Sequence, residues 1–293
     1  MRFCEPKFYL DETFAVRSYE SGVTNHVSLP TLCNFMQEIA GLNAEKLGWG
    51  IRKLQEEGLT WMLSRLHLKV ARYVPWGEKI TLRTWPSGMK GRLIATRCFQ
   101  GADGVGGEVL QAHSEWLYVD MKAQKIAKLP ESFADLVPAD TPDILFDDIG
   151  GKFTQLPDVT SSVEIRVRQS DLDFNDHVNN VHYVEWMLET IPMGTDPTNV
   201  GTDPENQGTG PAEMDIVFRA AAKGEIRSFR NVSTGKGVRF TSSDVRRMVL
   251  FWQRRRWCGR ELCTVIDRTV DKCVDNSDGK TLKGRGLCTE LLK

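Results

Sequence analysis

The groups best suited to chemistry crowd one short stretch, 170–180, which holds Asp171, Asp173, Asn175, Asp176, His177, Asn179 and Asn180. Carboxylates, amides and an imidazole at this density suit acid–base work on a polar bond. Alternation along an extended chain puts residues 173, 175 and 177 on one side, where they can converge on one substrate atom. The sequence then turns apolar, with Val181, Val184, Met187, Leu188 and Ile191 at the spacings of one helix face. Asn179 or Asn180 caps the N-terminus of that helix, and Pro192 marks its end. The polar cluster therefore sits at the positive end of a helix dipole, where an oxyanion is stabilised.

What must position this cluster is a duplicated scaffold. Sliding the first half by 151 residues lays Val16-Arg17 on Val167-Arg168, His26-Val27 on His177-Val178, Phe35-Met36 on Trp186-Met187, and Glu38 on Glu189. An offset of 147 then lays Val70, Arg72, Gly77-Glu78 and Arg83 on Val217, Arg219, Gly224-Glu225 and Arg230. In the first copy, a strand is expected at Phe14–Tyr19 and a helix from Pro30 to about Leu47. Further strands are expected near 60–73, 78–86, 91–100 and 108–120, the last two separated by the turn GADGVGG. A long helix against a bent antiparallel sheet is a hotdog, so the fold class expected is α+β, a double hotdog with its two sheets joined edge to edge. The units are expected at 1–128 for the N-terminal repeat, 129–160 for a linker rich in Pro, Asp and Gly, 161–274 for the C-terminal repeat, and 275–293 for a tail. The Gly- and Pro-rich stretch 194–211 reads as a surface loop.

The stretch D-x-N-x-H-V-N-N, followed by an aromatic-rich helix ending E-T-x-P, resembles the signature of the acyl-acyl-carrier-protein (acyl-ACP) thioesterases of plants, algae and bacteria. Two upstream segments, Phe14–Ala40 and Leu59–Trp85, resemble the first half of the same family, and the resemblance extends to about Glu225. It implies hydrolysis of a fatty acyl-ACP thioester, which ends fatty acid synthesis by releasing free fatty acid.

The resemblance also implies roles. Asp173 would be nucleophile or base, His177 would activate water or protonate the leaving thiol, and Asn175 would orient His177 or donate to the oxyanion. The repeat is an internal control, because the first copy keeps His26 but has Gly22 and Thr24 in place of Asp173 and Asn175. Only the second copy could then be catalytic, leaving the first to hold the acyl chain on Phe35, Met36, Ile39, Trp61, Met62 and Leu63. One departure stands out: where the family carries a Glu often followed by Cys, this chain reads Ala221-Ala222. Two further readings follow, an acyl-CoA thioesterase on the same scaffold and a weakened protein that binds acyl groups without cutting them.

Composition narrows the field. A net charge of −1 argues against a nucleic-acid-binding surface across the chain, and no apolar run is long enough to span a membrane. Seven scattered cysteines without a C-x-x-C fit free thiols in a reducing compartment and lack metal-ligand spacing, so neither metal nor cofactor is expected. The partner expected is the acyl carrier protein, with a homodimer left open; Arg246-Arg247 and Arg254–Arg256 read first as a solvated face, and as a basic patch they could also steer the acidic carrier. The N-terminus lacks signal- or transit-peptide character, so a soluble intracellular protein is expected, in plastid stroma or bacterial cytoplasm.

Overall fold

The computed structural model describes residues 8–22, 24–137, 141, 143–144, 164–165, 167–173, 177–188, 211, 213–218, 229–234, 237–242, 250–257 and 260–267. The first strand, β1 (Leu10–Ala15), gives way to a turn at Ser18–Glu20 rather than continuing to Tyr19. Glu20 causes the break: its carboxylate accepts from the Arg17 backbone N–H (2.9 Å) and guanidinium (3.2 Å), folding the chain back on itself.

Helix α1 (Leu29–Lys46) starts where Ser28 Oγ accepts the Thr31 N–H (3.3 Å), with Pro30 in its first turn. It buries Leu32, Phe35, Met36, Ile39 and Ala40 at helical spacing. A short α2 (Ile51–Glu56) leads into a meander of β2 (Leu59–Val70), β3 (Lys79–Lys90), β4 (Ile94–Asp103) and β5 (Glu108–Asp120), with β6 (Lys125–Ile126) hanging on β5. Strand β3 runs four residues past Pro86, where an end was expected. A bulge between Pro86 and Gly88 absorbs the missing N–H, and pairing with β4 resumes to Lys90. The GADGVGG turn forms as read: the Asp103 carboxylate accepts from the N–H groups of Val105 (3.0 Å) and Gly107 (2.7 Å), and Gly106 takes a φ of +86°.

The second half supplies β7 (Glu164–Ile165), α3 (Asn180–Leu188), β8 (Glu213–Val217), β9 (Phe229–Thr234), β10 (Gly237–Ser242), β11 (Leu250–Trp257) and β12 (Arg260–Asp267). The twelve strands of the described residues form one sheet in the order β1-β3-β4-β5-β2-β8-β12-β11-β10-β9-β7, with β6 beside β5. This is the double hotdog, its halves joined edge to edge where β2 and β8 pair antiparallel. Across that seam Arg65 makes a bidentate ion pair with Asp215 (2.9 and 2.5 Å), and His67 Nε2 meets Glu213 (2.6 Å). The second half also carries a strand without counterpart in the first, since β12 lies parallel to β8 and separates it from β11. Inside the curve lies one apolar core shared by both halves, where Leu32, Ile39, Leu68 and Leu110 meet Val184, Met187, Met214 and Ile216.

Candidate active site

The polar cluster is held by a turn that repeats the one before α1. Arg168 presents its backbone N–H (2.7 Å) and guanidinium (2.9 and 2.8 Å) to Asp171, whose side chain is fully buried. Burial pushes the Asp171 carboxyl upward, but hydrogen bonds from Arg168 outweigh it and hold the group below its ordinary range. Asp171 is thus the brace of the turn, two residues before Asp173.

Beyond the brace, the Asp173 N–H donates to the His177 carbonyl (2.7 Å), and the His177 N–H returns to Asp173 Oδ1 (3.3 Å). The Asn179 N–H donates to the Asp171 carbonyl (2.9 Å), and Asn179 Oδ1 accepts from Val181 N–H (3.0 Å), so Asn179 is the cap and Asn180 the first helical residue. The first half matches the two backbone bonds at the same offset: Gly22 N–H to the His26 carbonyl is 2.9 Å, and Ser28 N–H to the Glu20 carbonyl is 3.0 Å.

Asp173, Asn179 and Asn180 line a cavity of about 570 Å³ whose remaining walls come from the first half. These walls include Gly41 and Ala44 of α1 and Leu47 at its end, with Trp49, Ile51, Trp61, Ala95, Trp116 and Phe133 beyond them. Aromatic packing fixes the far end: Phe133 meets Trp49 edge-on at 5.1 Å, and Trp61 Nε1 donates to the Trp49 carbonyl (3.0 Å). A carboxylate and helix-start amides therefore line a mostly apolar chamber, with Glu38, Glu45, Arg52 and Arg97 also on its wall, of the size that takes a small-molecule ligand.

The candidate residues are distributed unevenly. Asp173 is on the cavity wall and His177 lies half-buried beside it, tied to Asp173 through the backbone; Asn175, Ala221 and Ala222 lie outside the described residues. Of the acyl-contact candidates, Trp61 lines the large cavity. Met36 and Leu63 line an adjoining chamber of about 30 Å³ between α1 and α3. Phe35 and Ile39 are buried in the core, where Phe35 stacks on Phe14 at 4.5 Å, and Met62 is half-buried. Arg246 and Arg247 also lie outside the described residues, and Arg254–Arg256 fall on β11.

Sequence reading missed Gln37, Trp49, Trp116, Phe133 and Arg97 on the cavity walls. Arg97 Nη1 donates to Asn43 Oδ1 (2.7 Å) and Thr84 Oγ1 (3.1 Å), and burial pushes the guanidinium down to about 10. Its only signal in the sequence was a cation inside the strand Ile94–Asp103. Among the described residues no group of three or more His, Cys, Asp or Glu could hold a metal ion. No described helix is long and apolar enough to cross a membrane.

Comparison with known proteins gives one answer along the chain. Residues 7–137 match the acyl-ACP thioesterase N-terminal domain, and residues 155–196 match the C-terminal domain of the same family. The oleoyl-acyl carrier protein thioesterase 1, chloroplastic, of Arabidopsis thaliana is 30% identical over 200 residues, covering 62% of this chain and 54% of that protein. The palmitoyl-acyl carrier protein thioesterase, chloroplastic, of the same plant is 33% identical over 197 residues, covering 62% of this chain and 47% of its own. The chain thus spans about half the length of the curated relatives it matches. Among solved structures, the 12:0-ACP thioesterase from Umbellularia californica superposes with a TM-score of 0.66 at 22% identity, covering 91% of this chain and all of that one. An acyl-ACP thioesterase from Bacteroides thetaiotaomicron gives a TM-score of 0.62 at 20% identity, covering 89% and 97%. These two share the fold.

Proposed function

Because the chain belongs to the acyl-ACP thioesterase family, we propose that it hydrolyses fatty acyl-ACP thioesters and releases free fatty acid. The observation that carries this reading is the placement of Asp173 at the wall of an apolar cavity built by the other half. The N-terminal half holds the acyl chain, and the C-terminal half brings the reacting groups. Asp173 either attacks the thioester carbonyl or takes a proton from the attacking water, and His177 protonates the departing thiolate. Asn175 supports His177 or the oxyanion. The relatives named above are chloroplastic, which supports a plastid location.

The test is a ladder of acyl-ACP thioesters with free thiol as the readout, run beside Asp173→Ala and His177→Ala. Turnover that disappears in both variants supports the reading. Acyl-ACP that binds without thiol release removes it and leaves an acyl-binding protein, the alternative favoured by Ala221 and Ala222 where the family carries Glu and Cys. Running the same ladder as CoA thioesters separates the carriers. Charge reversal at Arg254–Arg256 raises KM for the ACP series alone if these side chains dock the acidic carrier.

A further inference from the structure

The halves differ in more than the Asp173 position. Counted from the starts of α1 and α3, Gln37 and Leu188 occupy the same helical position, and the same offset relates Asn180 to Leu29 and Asp173 to Gly22. Around one copy of the shared architecture the three positions are Asp173, Asn180 and Gln37; around the other they are Gly22, Leu29 and Leu188. The fold accepts an apolar residue at the Gln37 position, since Leu188 packs against the core there. Gln37 therefore meets no demand of the fold, and it stands on the side that holds the carboxylate.

Its surroundings point the same way. Gln37, Trp116 and Asn180 line both the large cavity and the small chamber, so they form the partition between the two. The Trp116 indole N–H is committed to Ser114 Oγ at 2.8 Å. Gln37 is half-buried, and its carboxamide makes no hydrogen bond among the described residues, although it carries two donors and an acceptor. An amide in that state, beside Asn180 and on the cavity that Asp173 lines, is placed to engage a polar group of whatever enters.

We propose that Gln37 is a catalytic residue: its side-chain N–H donates to the thioester carbonyl oxygen and holds the charge that develops there. This rests on the hydrolase reading above. As water, deprotonated by Asp173, adds to the carbonyl carbon, the C=O π pair moves onto oxygen, and Gln37 stabilises that oxyanion without losing its proton. Collapse of the intermediate re-forms C=O and breaks C–S, and the thiolate leaves with a proton. The first half then contributes one donor to the reaction as well as the acyl pocket.

The experiment uses the full chain with Gln37→Leu, the residue its counterpart carries, and Gln37→Met, which keeps length without a donor. Steady-state thiol release gives kcat and KM, and a non-hydrolysable thioether analogue of acyl-ACP gives affinity. The expected result is a kcat lower by about 10²–10³-fold, the cost of one lost oxyanion donor, with thioether affinity and thermal midpoint close to wild type. A kcat within about threefold of wild type in either folded variant overturns the proposal while the hydrolase stands. A parallel loss of kcat and thioether affinity also overturns it, because Gln37 would then be a binding or packing residue. If the wild type itself releases no thiol, the hydrolase reading fails and takes the role of Gln37 with it.

Discussion

The turn before α1 and the turn before α3 share a backbone and differ in what they carry. Both open with an Arg whose N–H and guanidinium are taken by an acid three residues on. Both close with an isolated bridge, Ser21 to Val27 in one and Leu172 to Val178 in the other, and both end in a side-chain helix cap. The first presents Gly22 and the second Asp173 at the same point. The difference teaches that the scaffold is fixed by residues around the reacting position, so chemistry can be gained or lost there at little structural cost.

The sharpest way to break the comparison is Asp173→Asn, which makes the second turn as inert as the first. Thiol release is expected to fall by about 10²–10⁴-fold, with the thermal midpoint nearly unchanged; a large fall in midpoint would make Asp173 part of the scaffold instead.

Next in size is the brace. Asp171 is fully buried, so Asp171→Ala strips the Arg168 N–H of its acceptor and is expected to cost about 2–4 kcal/mol by urea unfolding. The matching Glu20→Ala, on a carboxylate that is 13% exposed rather than fully buried, is expected to cost about 1 kcal/mol. Equal costs would mean that the two turns are braced alike.

Acid separates the regions more gently. Burial holds His113 below the usual imidazole value, so it is neutral when folded and binds a proton on unfolding. Its contribution is complete above about pH 6.5 and falls as the pH drops below that. Asp171 runs at lower pH: its depressed folded value leaves its contribution intact above about pH 4 and removes it as the pH falls through the folded value. Urea midpoints across pH 3–8 should show both declines, with His113→Asn flattening only the upper one and Asp171→Asn only the lower.

The smallest effect expected is for Gly22→Asp. A Cβ at Gly22 meets nothing within 4 Å, and its φ is not positive, so stability should move by less than about 0.5 kcal/mol. No new thiol release is expected, because Leu29 and Leu188 stand on that side in place of Asn180 and Gln37.

Local signals carried much of this architecture. Ser28, Pro30 and the apolar spacing of α1 announced that helix, and the 151-residue offset placed both turns. The cavity was less legible. Strand alternation separates the two faces of a sheet, but it cannot tell which inward residues meet the core and which meet a void. Phe35 and Trp61 looked alike in sequence, yet one stacks on Phe14 and the other faces the cavity. Arg97 was missed because a cation in a strand is usually a solvated side chain, and its real partners, Asn43 and Thr84, come from two other elements. The bulge at Pro86 followed from pairing with β4, which no local pattern specifies.

The seam between the halves has a consequence for the chain as it is made. Strand β2 finds its outer neighbour in residues 213–217, and the Arg65–Asp215 pair spans 150 positions. At about 5–20 residues per second of synthesis, β2 waits roughly 8–30 seconds as an open strand edge before that neighbour exists. An open edge is a template for pairing with another nascent chain. Arg65 and Lys69, which later meet Asp215 and Glu213, put cations on that edge in the interval, so identical edges approaching each other bring like charges together. The residues that lock the finished sheet thus also guard the half-made one against its own copies.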